Sequence, residues 1–332
     1  VRFCSSDRID MTLSHTDRQQ LEALGLDPVT VARQLEQLRT GSAWIKLERP
    51  CTPGDGIVQL APESHAWFAR SFEGAAAAGR LSRFVPASGA ASSMFKPLYG
   101  ADTSHFIARL KDFAFYQDLK LVLAENGRDL DLLAEQGDHE EIVRYLLEPC
   151  GLGYASLPKG LLAFHLVADG ARTPFVEHQA EAALLNGLDC TVALHFTVSP
   201  EHLPLFKAQA AAWRSSLEET YGCHFALSFS EQKVSTDTPA LDAEGEPLRG
   251  HTGALQLRPG GHGALIENLN ELGGDIVQIR NIDNVVPDSR KEVNLNWTRL
   301  MTGFLVQLQE EQQMVLKALH DQAEDPMSRE LA

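Results

Sequence analysis

The forty residues TVALHFTVSPEHLPLFKAQAAAWRSSLEETYGCHFALSFS, Thr191 to Ser230, decide how this chain folds. They read as a strand at Thr191–Thr197, a helix at Pro200–Tyr221 and a second strand at His224–Ser230. The same alternation continues on both sides. Upstream lie a strand at Leu161–Val167 and a helix at Phe175–Asn186. Downstream lie a short helix at His262–Leu269, a strand at Asp275–Ile279 and a long helix at about Lys291–Gln322. Strand-helix alternation implies an α/β fold, a mainly parallel mixed sheet flanked by helices on both faces. In such sheets ligands sit beyond the carboxyl ends of the strands.

Further toward the N-terminus, Ser14 to Asp17 starts a helix whose apolar stripe is Leu21, Leu24, Leu26, Val31, Leu35 and Leu38. Residues 40–61 are loop-like, and a second helix runs from Pro62 to about Ala78. Arg83-Phe84-Val85-Pro86 is a short strand entering the small-residue loop Ala87–Ser93. Residues 102–149 look entirely helical. The expected organisation is therefore a leader at 1–10, with Met11 as the native start, and an N-terminal helical region at 11–80. The α/β domain follows at 81–290, with a helical insertion at about 100–156, and then a C-terminal helix at 291–332.

Composition narrows the function classes. The 332 residues carry 29 Lys+Arg against 45 Asp+Glu, a net charge of −16. That balance excludes general nucleic-acid binding, which needs a basic face to displace counterions. No apolar run is long enough to span a membrane, so no membrane partner is expected. The five cysteines form no C-x-x-C pair, as expected of a reduced, cytoplasmic protein without a disulfide framework or structural zinc. The charge is uneven. Residues 101–150 hold five basic and eleven acidic side chains, whereas 81–100 holds Arg83 and Lys96 and no acid. A locally positive segment in an acidic chain suits an anionic ligand.

Four loops fall at strand ends. In the first, Ala87-Ser88-Gly89-Ala90 brings small residues, so that backbone N–H groups can approach phosphates or a base edge, followed by Lys96. It lacks the Walker A pattern, and a tight strand-to-helix turn explains it equally well. The second is Pro158-Lys159-Gly160, a Lys fixed by a preceding Pro and suited to phosphate. Close by, Arg172-Thr173-Pro174-Phe175 opens a helix. The third, Gly260-Gly261-His262-Gly263, precedes a helix and pairs flexible backbone amides with a titrating donor. The fourth, Asn281-Ile282-Asp283-Asn284, ends an apolar strand with hard oxygen ligands suited to Mg²⁺, though a capping Asp explains it equally well. Gln232 and Lys233, after the strand at 224–230, are two further candidate ligand contacts, which a polar turn explains nearly as well. The histidines His165, His178, His195, His202 and His224 have no metal-ligand spacing and read as core or surface residues.

In this order the four loops resemble those of the nucleotide-diphospho-sugar (GT-A-like) nucleotidyltransferases, and among them the UDP-sugar pyrophosphorylases. Longer phrases, Phe84 to Ala91, Arg172 to Phe175, Ser235 to Thr238 and the run Arg258 to Asp288, resemble a bacterial family known as domain of unknown function 4301. The resemblance implies a Rossmann-related three-layer α/β/α fold and a cytoplasmic Mg²⁺-dependent enzyme. Such an enzyme joins an NTP to a sugar 1-phosphate or similar phosphorylated acceptor, releasing pyrophosphate. Carried over residue by residue, Lys96, Lys159 and Asp283 would be catalytic, with Asp283 holding the metal. Ala87, Ser88, Gly89, Ala90, Gln232, Gly260, Gly261, His262 and Gly263 would bind the nucleotide. Arg172, Lys233, Asn281 and Asn284 would meet the phosphate or sugar.

Three departures bear on activity. Ser92-Ser93 stand where pyrophosphorylases show Thr-Arg. An acidic helical insert of about 60 residues separates the first loop from Lys159. Members of the family run on past this point, so a further domain is expected to follow the C-terminal helix. A non-catalytic nucleotide or nucleotide-sugar binding module on the same fold is therefore the alternative. A hydrolase using Ser88 is a third, weaker reading.

Overall fold

The computed structural model describes residues 13–41, 45–100, 102–168 and 170–324; the expected leader at 1–10 lies outside them. The chain divides into two compact units, Val1–Val58 with Ser230–Gly273 and Gln59–Phe229 with Gly274–Ala332.

The first unit is built on α1 (His15–Ala23) and α2 (Pro28–Thr40). A single helix is what the apolar stripe predicts here, but the chain breaks it. Gly25 takes φ +74°, and Asp27 then caps a new helix whose first residue is Pro28. The Ser14 and Asp17 side chains form a reciprocal capping box on α1. Asp17 also receives both terminal nitrogens of Arg249, at 2.7 and 2.9 Å, and this contact above all holds its carboxyl down at about 2. Leu21, Val31 and Leu35 pack with Leu255 to form this unit's core.

The second unit holds the central sheet. Its strands are β1 (Leu81–Pro86), β2 (Thr191–Thr197), β3 (His224–Ser230) and β4 (Ile276–Ile279), in the order β4-β1-β2-β3. The β4 and β2 strands both pair with β1 in parallel. The flanking helices are α3 (His65–Ala77), α7 (Pro174–Asn186), α8 (Leu203–Tyr221) and the 34-residue α10 (Lys291–Glu324). Between β1 and β2 the helical insertion folds as short pieces, including α4 (Tyr116–Glu125), α5 (Leu130–Gln136) and α6 (His139–Leu147), around Leu119, Leu123, Leu130, Ile142 and Leu146. The sheet core is Val85, Phe175, Phe196, Phe206 and Ile282.

One expected strand is corrected. Leu161–Val167 does not join the sheet. Lys159–Leu161 is a 3-10 turn, and only His165–Val167 is extended, pairing antiparallel with Gly170–Arg172. Leu161 and Leu162 are apolar because the turn buries them, Leu161 in the sheet core and Leu162 in the insertion core. Among the described residues, no helix is long and apolar enough to cross a membrane. Cys51, Cys150, Cys190 and Cys223 are free thiols.

Candidate functional site

The parallel arrangement sends the C-terminal ends of β1 and β4 in the same direction, and the first, second and fourth loops meet there. The β1 strand ends at Pro86. Ala87 makes one more contact, its N–H donating to Thr197 O at 2.7 Å, and Ser88, Gly89 and Ala90 then run exposed. The loop is clasped by the second one. Lys159 N donates to Gly89 O at 3.0 Å, and Ala91 N donates to Leu157 O at 3.2 Å. Lys159 leaves this clasp with its ammonium 2.7 Å from Asp283 Oδ2, across 124 positions of sequence.

Gly160 makes the meeting possible. A Cβ there would stand 3.1 Å from both Ile282 Cγ1 and the Phe206 ring, a tight approach that glycine avoids where the Lys159 turn lies on the residue beside Asp283. On the Asp283 side, Arg280 N continues the ladder to Phe84 O at 3.0 Å, and Asn284 N closes a turn onto Asn281 O at 3.1 Å. Ile282 is the buried anchor of that turn, while Asn281, Asp283 and Asn284 face outward.

Beneath the turn lies a group of side chains that the sequence did not mark as functional. His178 on α7 is fully buried, and its Nε2 donates to the carbonyls of both Asn281 and Ile282, at 3.1 Å each. Burial, reinforced by the charges of Arg83 and Arg280, pushes this imidazole down to about 3, so it stays neutral with the proton on Nε2. Glu181, also on α7, lies between Arg83 and Arg280 with N···O separations of 3.3 and 3.4 Å. Arg83 is itself buried, and loss of solvent lowers its guanidinium to about 10. The available signal was polarity out of place, since His178 and Glu181 interrupt an apolar helix and Arg83 an apolar strand.

The other sequence-predicted residues are placed as follows. Lys96 is exposed on the turn Lys96–Leu98, directly after buried Phe95. Arg172 is buried and turns inward, Nη1 lying 3.0 and 3.2 Å from the two Asp288 oxygens. Beside it, Glu177 accepts from His165 Nδ1 at 3.0 Å and from Lys291. Gln232, Lys233 and Gly260 to Gly263 are gathered in the other unit. There the Gln232 amide brackets the Gly260 peptide, accepting from its N–H at 2.8 Å and donating to its carbonyl at 3.2 Å. Lys233 pairs with Glu271 and Glu267, and His262 is exposed on the 3-10 turn His262–Leu265 that leads into α9 (Ile266–Glu271). Among the described residues, no three His, Cys, Asp or Glu side chains cluster as metal ligands.

Two comparisons with known proteins gave matches. The family described as domain of unknown function (DUF4301) matches residues 14–331. Among solved structures, the uridine diphosphate N-acetylglucosamine pyrophosphorylase from Trypanosoma brucei, determined in complex with an inhibitor, is similar at 15% identity and a TM-score of 0.36. That match covers 71% of this chain and 38% of the trypanosome enzyme, so the chain spans well under half of that protein's length. No match was found among curated proteins.

Proposed function

The chain belongs to the DUF4301 family, whose description assigns no chemistry, and from its own residues we propose Mg²⁺-dependent nucleotidyl transfer. An NTP and a sugar 1-phosphate, or a similar phosphorylated acceptor, would give a nucleotide-linked product and pyrophosphate. The observation that carries the reading is the 2.7 Å pairing of Lys159 with Asp283 at the strand ends, beside an exposed small-residue loop clasped to the same lysine's backbone.

In the reaction a phosphate oxygen of the acceptor attacks the α-phosphorus in line. The new O–P bond forms as the bond to the bridging β-phosphate oxygen breaks, and pyrophosphate departs with that electron pair. No protein nucleophile is needed, so the protein contributes position and charge. Lys159 offers a compact point charge to a phosphate, and Lys96 a second. Ser88, Gly89 and Ala90 supply backbone donors on a loop too small to obstruct the approach. Mg²⁺ is commonly held by one or two carboxylates together with substrate phosphates and water. The Asp283 carboxylate, 39% exposed at a strand end, fits that donor set, with the Asn281 and Asn284 side chains beside it. Bound there, the ion would neutralise phosphate charge. Arriving phosphate would draw the Lys159 ammonium away from Asp283, exchanging one ionic partner for another.

The test is pyrophosphate release by the purified protein with all four NTPs, Mg²⁺ and a panel of phosphorylated acceptors that includes both sugar 1-phosphates and aryl phosphates. Release that falls at least 100-fold in Asp283→Ala is expected. Release no greater than in that variant overturns the reading. Ser93, exposed where the resemblance calls for Arg, favours the alternative of a binding module; calorimetric binding of UDP-sugars without turnover would establish it. Ser88→Ala should leave turnover intact, which removes a serine hydrolase.

A further inference from the structure

A third of the chain's 15 phenylalanines line one cavity in the helical insertion. Phe95, Phe106, Phe113, Phe115 and Phe164, with Tyr154, wall a space of about 400 Å³. The rings brace one another. Phe113 stacks on Phe115 at 5.1 Å, Phe115 meets Tyr154 edge-on at 5.6 Å, and Phe106 stands 5.3 Å from Phe113. The Tyr154 hydroxyl oxygen accepts from Ala163 N at 3.2 Å, which fixes the ring against the wall. A volume of this size, with aromatic walls and few polar groups, is the ordinary form of a small-molecule pocket.

Its place along the chain is the informative part. Lys96 lies between Phe95 and Pro97, both of which line the cavity. The Lys159–Leu161 turn runs straight into Leu162, Ala163 and Phe164, which line it too. Lys159 at the candidate site and the exposed Lys96 are therefore each within a few residues of the aromatic walls, each residue adding at most about 3.8 Å. We propose that the insertion forms the binding pocket for the apolar ring of a phosphorylated acceptor, whose phosphate is received by Lys96 and Lys159. The acceptor class is then a ring-bearing amphiphilic phosphate rather than a wholly polar sugar phosphate. The phosphate half of this inference rests on the function proposed above; the ring pocket does not.

The test is calorimetric titration of the protein with 2-naphthyl phosphate, 2-naphthol, glucose 1-phosphate and inorganic phosphate. We expect 2-naphthyl phosphate to bind at least tenfold more tightly than either glucose 1-phosphate or inorganic phosphate. Phe113→Ala, at a ring already 37% exposed, should weaken both naphthyl ligands at least fivefold and leave inorganic phosphate unchanged. Ala163→Leu, which narrows the cavity, should act in the same direction and guards against a variant that fails to fold. Lys159→Met should weaken the two phosphate esters and leave 2-naphthol unchanged. Equal binding of naphthyl phosphate and inorganic phosphate, or indifference to both cavity variants, overturns the pocket. Indifference of naphthyl phosphate to Lys159→Met overturns the acceptor class. Naphthyl phosphate binding that meets these expectations without pyrophosphate release overturns nucleotidyl transfer alone.

Discussion

Glu177 and His178 are neighbours on α7, both wholly buried, and they belong to two polar groups of opposite character. Around Glu177 the charges balance. Glu177 and Asp288 face Arg172 and Lys291, with His165 donating a further hydrogen bond. Around His178 they do not. Arg83 and Arg280 share the single carboxylate of Glu181, and the neutral imidazole adds no charge. Both guanidinium groups approach the same oxygen, Oε1, while Glu181 Oε2 and His178 Nδ1 have no hydrogen-bond partner among the described residues. Buried groups are normally satisfied, and exceptions concentrate where function competes with stability. The balanced group fastens α10, through Lys291, to α7. The unbalanced one lies under the Asn281–Asp283 turn and leaves surplus positive charge beneath the place proposed for phosphate.

The widest separation between the two groups should appear when one carboxylate is removed. Glu177→Leu leaves two buried cations, Lys291 and Arg172, with only the half-exposed Asp288 between them, a loss of about 3–5 kcal/mol by the usual cost of breaking a buried pair. Urea unfolding at pH 7 reads this directly. Adding Lys291→Met to Glu177→Leu should return more than half of the loss, because the stranded charge goes with it. A single variant as stable as wild type would show that the balanced group does not fasten α10.

The unbalanced group should be exposed by acid. The folded pKa of His178 lies far below its unfolded value of 6.5, so the unfolded chain binds the extra proton. Its contribution is complete above pH 6.5 and declines as the pH falls toward 3. With about 1.4 kcal/mol per pH unit, stability should drop roughly 2 kcal/mol between pH 6.5 and 5. His178→Gln, which keeps a donor and does not titrate, should flatten that slope; an unchanged slope in this variant would mean that the imidazole is not the group responsible. Glu177 responds at lower pH. Burial pushes its carboxyl up, but the bonds from His165 and Lys291 and the neighbouring charges hold it below the ordinary value. Its contribution is therefore present above about pH 4.5 and is lost as the pH falls through the depressed pKa.

This contrast also separates what was legible in the sequence from what was not. The strand Thr191–Thr197 was readable to the residue because its composition and boundaries are local. The break after α1 is hidden, since the leucine stripe continues through Gly25 and Asp27-Pro28 and its periodicity outweighs the turn signal. Leu161 to Val167 reads as a sheet strand and is not one, because an apolar run says that a segment is buried, not in which core. Lys159 and Asp283 stood out as chemistry at strand ends, yet their pairing across the intervening chain is a property of the fold. Glu181 and Arg280 carry no mark in the sequence, and His178 reads only as a core or surface histidine, for a related reason. A buried polar residue acquires meaning from partners far away in sequence, and no local pattern carries that.

Gly160 tests the join between the buried anchors and the exposed turn. A methyl group at that position presses on Ile282 and Phe206 together, and Gly160→Ala should cost about 1–2 kcal/mol by overpacking. Because Ile282 adjoins Asp283, nucleotide binding measured by calorimetry should weaken more in this variant than in a comparably destabilised substitution in the insertion core, such as Leu133→Ala. Equal weakening would mean that the glycine serves packing alone.

The smallest effect on stability should come from the pair proposed to carry the chemistry. Lys159 and Asp283 are 24% and 39% exposed, and ion pairs this close to solvent contribute at most about 1 kcal/mol. Lys159→Met and Asp283→Asn should therefore unfold within that margin of wild type, with a coupling energy under about 1 kcal/mol in a double-mutant cycle. Pyrophosphate release should nevertheless collapse in both. If instead either variant unfolds as readily as Glu177→Leu, the pair is a structural fastening like the one around Glu177, and the contrast between the two groups disappears. An inexpensive bond is what a phosphate site at this position requires, since a lysine held as firmly as Lys291 could not leave its carboxylate when substrate arrives.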